Sequence, residues 1–322
     1  MNVAIYASTG TKVGLGHLKR CLSIAEEFKK LSQNIEFLLD NIIFSHLISE
    51  SGYSFKHITS LNTKKYDILI TDKYELDEEV LKFLKKNCRI LVRLDDGYPL
   101  LLKDQMSDVI INGNPYGNVN TYEGIVKKDC YLLVGKEFIP MDQKFCKLRS
   151  SYKIRNEIKN ATITFGASDD VKYSEEISME LSSQNIFANI YVLNGKILKN
   201  RLNPKTTSKL KLLSIINNIH KIFAISDIVI CSSSSTCWQL ATIGLPFITF
   251  KTADNQTLGF KYIKETGIGI ALEEDAINNG LLKTKIKNLD KTKRQYLYEK
   301  SRSDIDCNGS KRIADKLIAL VN

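Results

Sequence analysis

The chain has 322 residues, 43% of them hydrophobic, and its 46 basic against 36 acidic residues leave a formal charge of +10. That is an ordinary globular composition, long enough for two packed cores. The basic residues run along the whole chain and alternate with acidic ones, as Lys82, Lys85 and Lys86 do with Asp77, Glu78 and Glu79; no basic arm or aromatic-basic module points to nucleic acid, and a solvated surface with some attraction for anionic substrates is expected.

The chain opens with an apolar strand, Val3 to Ala7, followed by a loop carrying Gly10, Gly14 and Gly16 and by His17 at the mouth of a helical pattern. Leu18, Cys21, Leu22, Ala25, Phe28 and Leu31 recur at helical spacing, so Gly16 and His17 fall at a helix N-terminus, where backbone donors and the dipole favour anions. Neither a P-loop nor a dinucleotide fingerprint fits this glycine spacing. Because the strand begins at once, no basic region and apolar signal core precede it, and no stretch approaches the roughly 20 apolar residues of a membrane span. The expectation is a cytoplasmic protein without stable membrane insertion.

Further β-branched runs at Ile35 to Leu39, Ile68 to Thr71, Ile90 to Leu94, Val109 to Asn112 and Tyr131 to Val134 alternate with helical patterns, notably Leu18 to Leu31 and Glu78 to Lys86. Such alternation predicts a parallel sheet with helices on its faces. Asp72 follows one of these strands, Asp95 and Asp96 another, and carboxylates at strand ends point toward the ligand side of an open α/β sheet, where one could orient an imidazole. Asp95 and Asp96 alternate sides of an extended chain, so adjacency alone does not make them an acid and base pair. Asn112-Gly113-Asn114-Pro115-Tyr116 reads as a turn.

The lysine-rich segment Met141 to Lys159 is read as the linker, giving domains of residues 1–145 and 146–322. A second series of strands follows, at Ala161 to Phe165, Asn189 to Leu193, Leu210 to Ile216, Ile228 to Cys231, Phe247 to Phe250 and Ile268 to Ala271. After the first of them, Gly166 permits close backbone approach and Ser168 suits an N-cap. Cys231-Ser232-Ser233-Ser234-Ser235-Thr236-Cys237-Trp238-Gln239 joins a buried strand to a helix, and small hydroxyl residues at such a turn suit a diphosphate. Asn255 and Gln256 follow the next strand, and their amides suit phosphate and sugar hydroxyls alike. Gly309 to Val321 predicts a last helix, expected to pack on the first domain. The seven cysteines form no C-x-x-C pair and read as reduced; with four dispersed histidines, no metal site or cofactor is expected.

Taken together, Gly14-x-Gly16-His17-x-x-Arg20, Asp72-x-Tyr74, Asp95-Asp96, Asn112 and Asn114, Tyr122-Glu123-Gly124, Gly166-x-Ser168-Asp169, Ser234-Ser235-Thr236 with Trp238, Gly244-Leu245-Pro246 and Asp254-Asn255-Gln256 resemble the UDP-2,4-diacetamido-2,4,6-trideoxy-β-L-altropyranose hydrolases of pseudaminic acid biosynthesis. Related spore-coat polysaccharide proteins and the wider MurG-like GT-B glycosyltransferases share the design. The resemblance implies a GT-B fold, two Rossmann-like domains facing across a cleft, with the sugar side in the first and uridine diphosphate in the second. It implies water attack on the anomeric carbon of a UDP-linked sugar without a metal, with His17 acting on the water or leaving oxygen and Tyr74 and Asp72 completing the catalytic group. Gly14, Gly16, Asn114, Gly166, Ser168, Ser234, Ser235, Thr236, Gln239, Asn255 and Gln256 would hold nucleotide and sugar, and association with other glycan-biosynthesis enzymes is a further expectation.

The chain departs from that pattern where an Arg-x-Asp pair is replaced by Tyr6-Ala7-Ser8, where Leu-Arg becomes Met141-Asp142, and where a ribose-contacting glutamate becomes Gln239. These positions point to a related but different nucleotide sugar. A glycosyltransferase using the same donor is the alternative reading, and a non-catalytic sugar-nucleotide binding protein a third.

Overall fold

The computed structural model describes residues 1–7, 15–59, 65–73, 76–97, 103–166, 172–183, 186–193, 209–214 and 218–322. The chain divides into two compact units, Met1–Gln143 with Cys307–Asn322, and Lys144–Asp306.

In the first unit the strands are β1 (Asn2–Ala7), β2 (Asn34–Leu39), β3 (Ser54–His57), β4 (Tyr66–Asp72), β5 (Cys88–Leu94), β6 (Val109–Asn112) and β7 (Tyr131–Val134). They form one parallel sheet in the order β3-β2-β1-β4-β5-β6-β7. Strands buried on both faces read as continuous apolar runs, and β1 shows why: Val3, Ile5 and Ala7 share a core with Leu18, Ile24 and Phe28 of helix Gly16–Lys30, while Ala4 and Tyr6 share another with Leu81 and Leu84 of helix Glu78–Lys86. Asp77 caps the latter helix by accepting from the Val80 N–H at 2.8 Å, which satisfies one of its unpaired first-turn donors.

The last helix, Gly309–Val321, lays Ile313, Ala314, Leu317 and Val321 into the same core as Val3 and Leu18. Ser310 Oγ accepts from the Met141 N–H at 2.9 Å, and a Cβ on Gly309 would fall 2.0 Å from the backbone oxygen of Ile139. Backbone cannot give way as a side-chain tip can, so Gly309→Ala is expected to cost roughly 1–3 kcal/mol, read as a lower urea midpoint.

In the second unit β8 (Asn160–Thr164), β9 (Asn189–Leu193), β10 (Leu210–Leu213), β11 (Ile228–Ser232), β12 (Phe247–Phe250) and β13 (Ile270–Leu272) form a parallel sheet in the order β10-β9-β8-β11-β12-β13. The strand order reverses between β1 and β4 in the first sheet and between β8 and β11 in the second. Ligands of open α/β sheets bind at the carboxyl ends of strands beside such a reversal.

Three differences from the sequence reading have physical causes. The segment Met141 to Lys159 is no plain linker: it carries helix Gln143–Ser151, because Phe145, Leu148 and Tyr152 form a buried helical stripe among the lysines. Arg149 fastens it by donating to the carbonyls of Thr242, Ile305 and Arg302 at 2.7 to 2.8 Å. Strand β3 and helix Ser45–Glu50 went unpredicted, since β3 is an edge strand with mostly exposed side chains. The run predicted over Leu210 to Ile216 is strand only to Leu213, and residues 215–217 lie outside the described residues.

Candidate functional site

Helix Gly16–Lys30 follows β1, and Asp72 ends β4, so the reversal point of the first sheet brings them together. His17 Nδ1 lies 2.6 Å from Asp72 Oδ1, with His17 buried and Asp72 fully so. Arg20, three residues along the helix and therefore on the same face as His17, grips Asp72 with both arms of its fork: Nε donates to Oδ2 and Nη2 to Oδ1, each at 2.5 Å. Its remaining arm, Nη1, donates to Asp96 Oδ1.

Burial alone would raise the Asp72 pKa, but Arg20 and the hydrogen bond from His17 outweigh it and hold the carboxyl down at about 2. Burial works against the Arg20 charge as well, and Asp72 and Asp96 more than restore it, pushing its pKa well above the ordinary value. Arg20 Nη2 also approaches His17 Nδ1 at 3.1 Å. The shorter contact to an ionised carboxylate assigns the Nδ1 proton to the bond with Asp72. The basic lone pair of neutral His17 is then on Nε2. Gly16, just before it, is exposed, and a Cβ built there meets none of the described residues within 4 Å.

The next strand ends reinforce this arrangement. Asp95 turns away from Asp96, as alternation along an extended chain requires, and accepts from Tyr122 Oη at 2.6 Å and from the Gly97 N–H at 2.9 Å. Burial raises the Asp95 pKa, against the pull of these donors. Asn112 Nδ2 donates to the same Tyr122 hydroxyl at 2.8 Å. Asn114 is half-buried and spends its Nδ2 on the Asp96 carbonyl and on Asn112 Oδ1, both at 3.1 Å, so it ties the loop after β6 to the loop after β5.

In the second unit the loops after β8, β11 and β12, three neighbouring strands, carry the other predicted residues. Gly166 follows β8 with φ +89°, a conformation that favours glycine, and a Cβ there would meet none of the described residues within 4 Å. Ser234 is the N-cap of helix Ser235–Ile243 but makes no side-chain cap bond, and no acidic residue stands in the first turn. The serines divide their tasks: Ser233 is buried with Oγ 2.9 Å from Thr249 Oγ1, whereas Ser235 is exposed and Thr236 and Gln239 are half-buried. Gln239 stands four residues from Ser235 and three from Thr236, on one helical face. Asn255 is exposed in the tight turn Asp254–Gln256. Gln256 Oε1 accepts from the Thr252 N–H at 2.9 Å and Oγ1 at 3.2 Å, which leaves its Nε2 to donate elsewhere.

Tyr74, Gly14 and Ser168 lie outside the described residues. Sequence reasoning placed His17 and Asp72 as candidates but missed Arg20 and Asp96 as the clamp on Asp72. The helical spacing of His17 and Arg20 was the available signal for the first; the strand-end position of Asp96 marked it for the ligand side but not as a partner of Arg20.

Residues 164–317 match the glycosyltransferase family 28 C-terminal domain. An uncharacterized protein of Methanocaldococcus jannaschii is 25% identical over 270 residues, 77% of this chain and 55% of that one, so the chain spans about half the length of that relative. The UDP-2,4-diacetamido-2,4,6-trideoxy-β-L-altropyranose hydrolase of Campylobacter jejuni is 27% identical over 244 residues, 73% of this chain and 86% of that one. A spore coat polysaccharide biosynthesis protein of Bacillus subtilis is 21% identical over 294 residues, 84% of each chain. Among solved structures, MurG of Acinetobacter baumannii aligns over 99% of both chains with a TM-score of 0.67 at 14% identity. The chain is thus a relative of the hydrolase and spore-coat proteins, and its two parallel-sheet units have the GT-B fold. Among the described residues no helix is long and apolar enough to cross a membrane.

Proposed function

We propose that this chain hydrolyses a UDP-linked (di)acetamido-deoxy sugar to UDP and free sugar in the biosynthesis of a pseudaminic-acid-like surface glycan, acting in the cytoplasm. The single observation that carries the chemistry is the buried His17–Asp72 pair clamped by Arg20 at the reversal point of the first sheet. The kinship to a named hydrolase supports the choice of substrate class.

In this reading His17 Nε2 takes a proton from water as its oxygen bonds to the anomeric carbon. The bond from that carbon to the β-phosphate oxygen breaks, and UDP leaves with the electron pair. Asp72 holds the imidazole in the tautomer the step requires and stabilises the imidazolium that forms. Tyr74 helps organise the reacting sugar. Charge growing on the departing diphosphate meets the first-turn N–H groups of helix Ser235–Ile243 and the hydroxyls of Ser235 and Thr236, with Asn255 and Gln256 beside them. We assign the sugar side to the first unit and the nucleotide to the second.

A glycosyltransferase is the second reading, favoured by the match of residues 164–317 to a glycosyltransferase domain. The test is UDP release from a panel of UDP-amino sugars with no acceptor and with chelator present. Steady release of UDP and free sugar is expected. UDP-sugar binding with release only on adding an acceptor would move the assignment to the transferase.

A further inference from the structure

The site turns the Arg20–Asp96 ion pair toward solvent. The side chains of Asp72 and His17 are 1% and 7% exposed, whereas those of Arg20 and Asp96 are 20% and 23% exposed. A ligand that reaches His17 from solvent therefore meets Arg20 and Asp96, while Asp72 stays closed off. With His17 neutral, Asp72 alone balances the Arg20 charge, so among the described residues Asp96 leaves this edge with a net negative charge. An anion there repels a diphosphate and suits the sugar, on which positive charge grows as the anomeric bond breaks.

Neighbouring groups hold Asp96 by its backbone and leave its carboxylate partly exposed. Asp95, on the other side of the extended chain, is tied to Tyr122 and through it to Asn112. Asn114 donates its N–H to Asn112 Oδ1 at 3.0 Å and its Nδ2 to the Asp96 carbonyl at 3.1 Å. Gly113, between the two asparagines, lies so close to the chain after β7 that a Cβ would fall 2.4 Å from the Phe138 backbone oxygen. None of these contacts needs a carboxylate at position 96. Asp96 Oδ1 accepts from Arg20 Nη1, and a carboxylate has about four lone-pair sites. Nη1 has a second N–H, for which no acceptor stands among the described residues. An acceptor and a donor side by side match a hydroxyl, which donates and accepts at a single atom.

We infer that Asp96 and Arg20 Nη1 form a subsite that reads a ring hydroxyl of the sugar, the hydroxyl donating to Asp96 and accepting from Arg20. The inference rests on the nucleotide-sugar reading above and deepens it. A pyranose with UDP at C1, nitrogen at C2 and C4 and no oxygen at C6 carries one hydroxyl, on C3, and that is the group the subsite reads. Asp96 is thereby a specificity-determining residue as well as a partner of Arg20, and the turn from Asn112 to Asn114 serves to fix the loop that carries it.

The experiment measures kcat/KM for UDP release from a UDP-2,4-diacetamido-2,4,6-trideoxyhexose and from its analogue with hydrogen in place of the C3 hydroxyl, using the full chain as wild type, Asp96→Ala and Asp96→Asn. Cooperative thermal unfolding checks that each variant is folded. The intrinsic reactivities of the two sugars cancel when the ratio of their rates is compared between proteins. The ratio favouring the hydroxyl is expected to be about tenfold or more higher in wild type than in Asp96→Ala, as for a hydrogen bond to a charged group, with Asp96→Asn, whose amide oxygen still accepts, in between. A residue that worked only through Arg20 would slow both sugars alike, so an unchanged ratio in the variants overturns the subsite and leaves the hydrolase reading standing. Should Asp96→Ala not fold, Asp96→Asn decides alone: a fall of about threefold in the ratio upholds the subsite and an unchanged ratio overturns it. Wild type that releases UDP from neither sugar overturns the hydrolase reading and the subsite with it.

Discussion

Replacing His17 by Ala is expected to lower kcat for UDP release by roughly 10²–10⁴, the span that a positioned general base supplies, with the Kd for UDP changed less than about twofold. The split follows from the geometry. His17 is held by Asp72 at 2.6 Å in the first unit, whereas the groups assigned to the diphosphate belong to the second. Steady-state kinetics and UDP titration on the same preparations check it. Equal turnover in wild type and His17→Ala would remove His17 from the mechanism.

The second large effect is expected at Arg20, a positioning residue that touches His17 and Asp72 and holds both in place. Arg20→Met leaves the fully buried Asp72 carboxylate, among the described residues, with the side-chain hydrogen bonds of His17 and Cys21 and without its guanidinium, and breaking a buried pair from one side costs about 3–5 kcal/mol. The sign with pH follows from the Asp72 carboxyl, held at about 2 in the fold against an ordinary 3.8. A depressed carboxyl binds fewer protons folded than unfolded. Its contribution, about 2 kcal/mol, is therefore present above pH 4 and lost as pH falls toward 2. Urea unfolding between pH 2 and pH 7 should show that acid-side loss in wild type and a much shallower one in Arg20→Met. Because the guanidinium no longer opposes burial, the pH profile of kcat in Arg20→Met is expected to move, which a purely structural role would not produce. Arg20→Lys keeps the charge without the two-armed grip and should recover part of the stability. Wild-type stability and an unmoved kcat profile in Arg20→Met would sink the clamp.

The strands of both sheets were legible because parallel strands covered on two faces spell apolar runs. Val109–Asn112, Asn189–Leu193 and Phe247–Phe250 coincide with their predicted bounds. Legibility failed where packing is one-sided or distant. Ser54–His57 is an edge strand with little apolar content, and Gln143–Ser151 hides a buried Phe145 and Leu148 in a lysine-rich segment. At the site, His17 was marked by its glycine-rich approach and Asp72 by its strand end. The Asp96 contact to Arg20 depends on which strands become neighbours, and that order is written in no local pattern.

The measurement that bears most directly on the central claim is turnover in ¹⁸O-labelled water, without acceptor, with the label read on the β-phosphate of the released UDP. That oxygen does not exchange with water as the anomeric hydroxyl of a free sugar does. Attack of water on the anomeric carbon predicts UDP released without label, at a rate that collapses in His17→Ala. Label in the β-phosphate would place the attack on phosphorus instead, and either that result or no release without an acceptor would contradict the account.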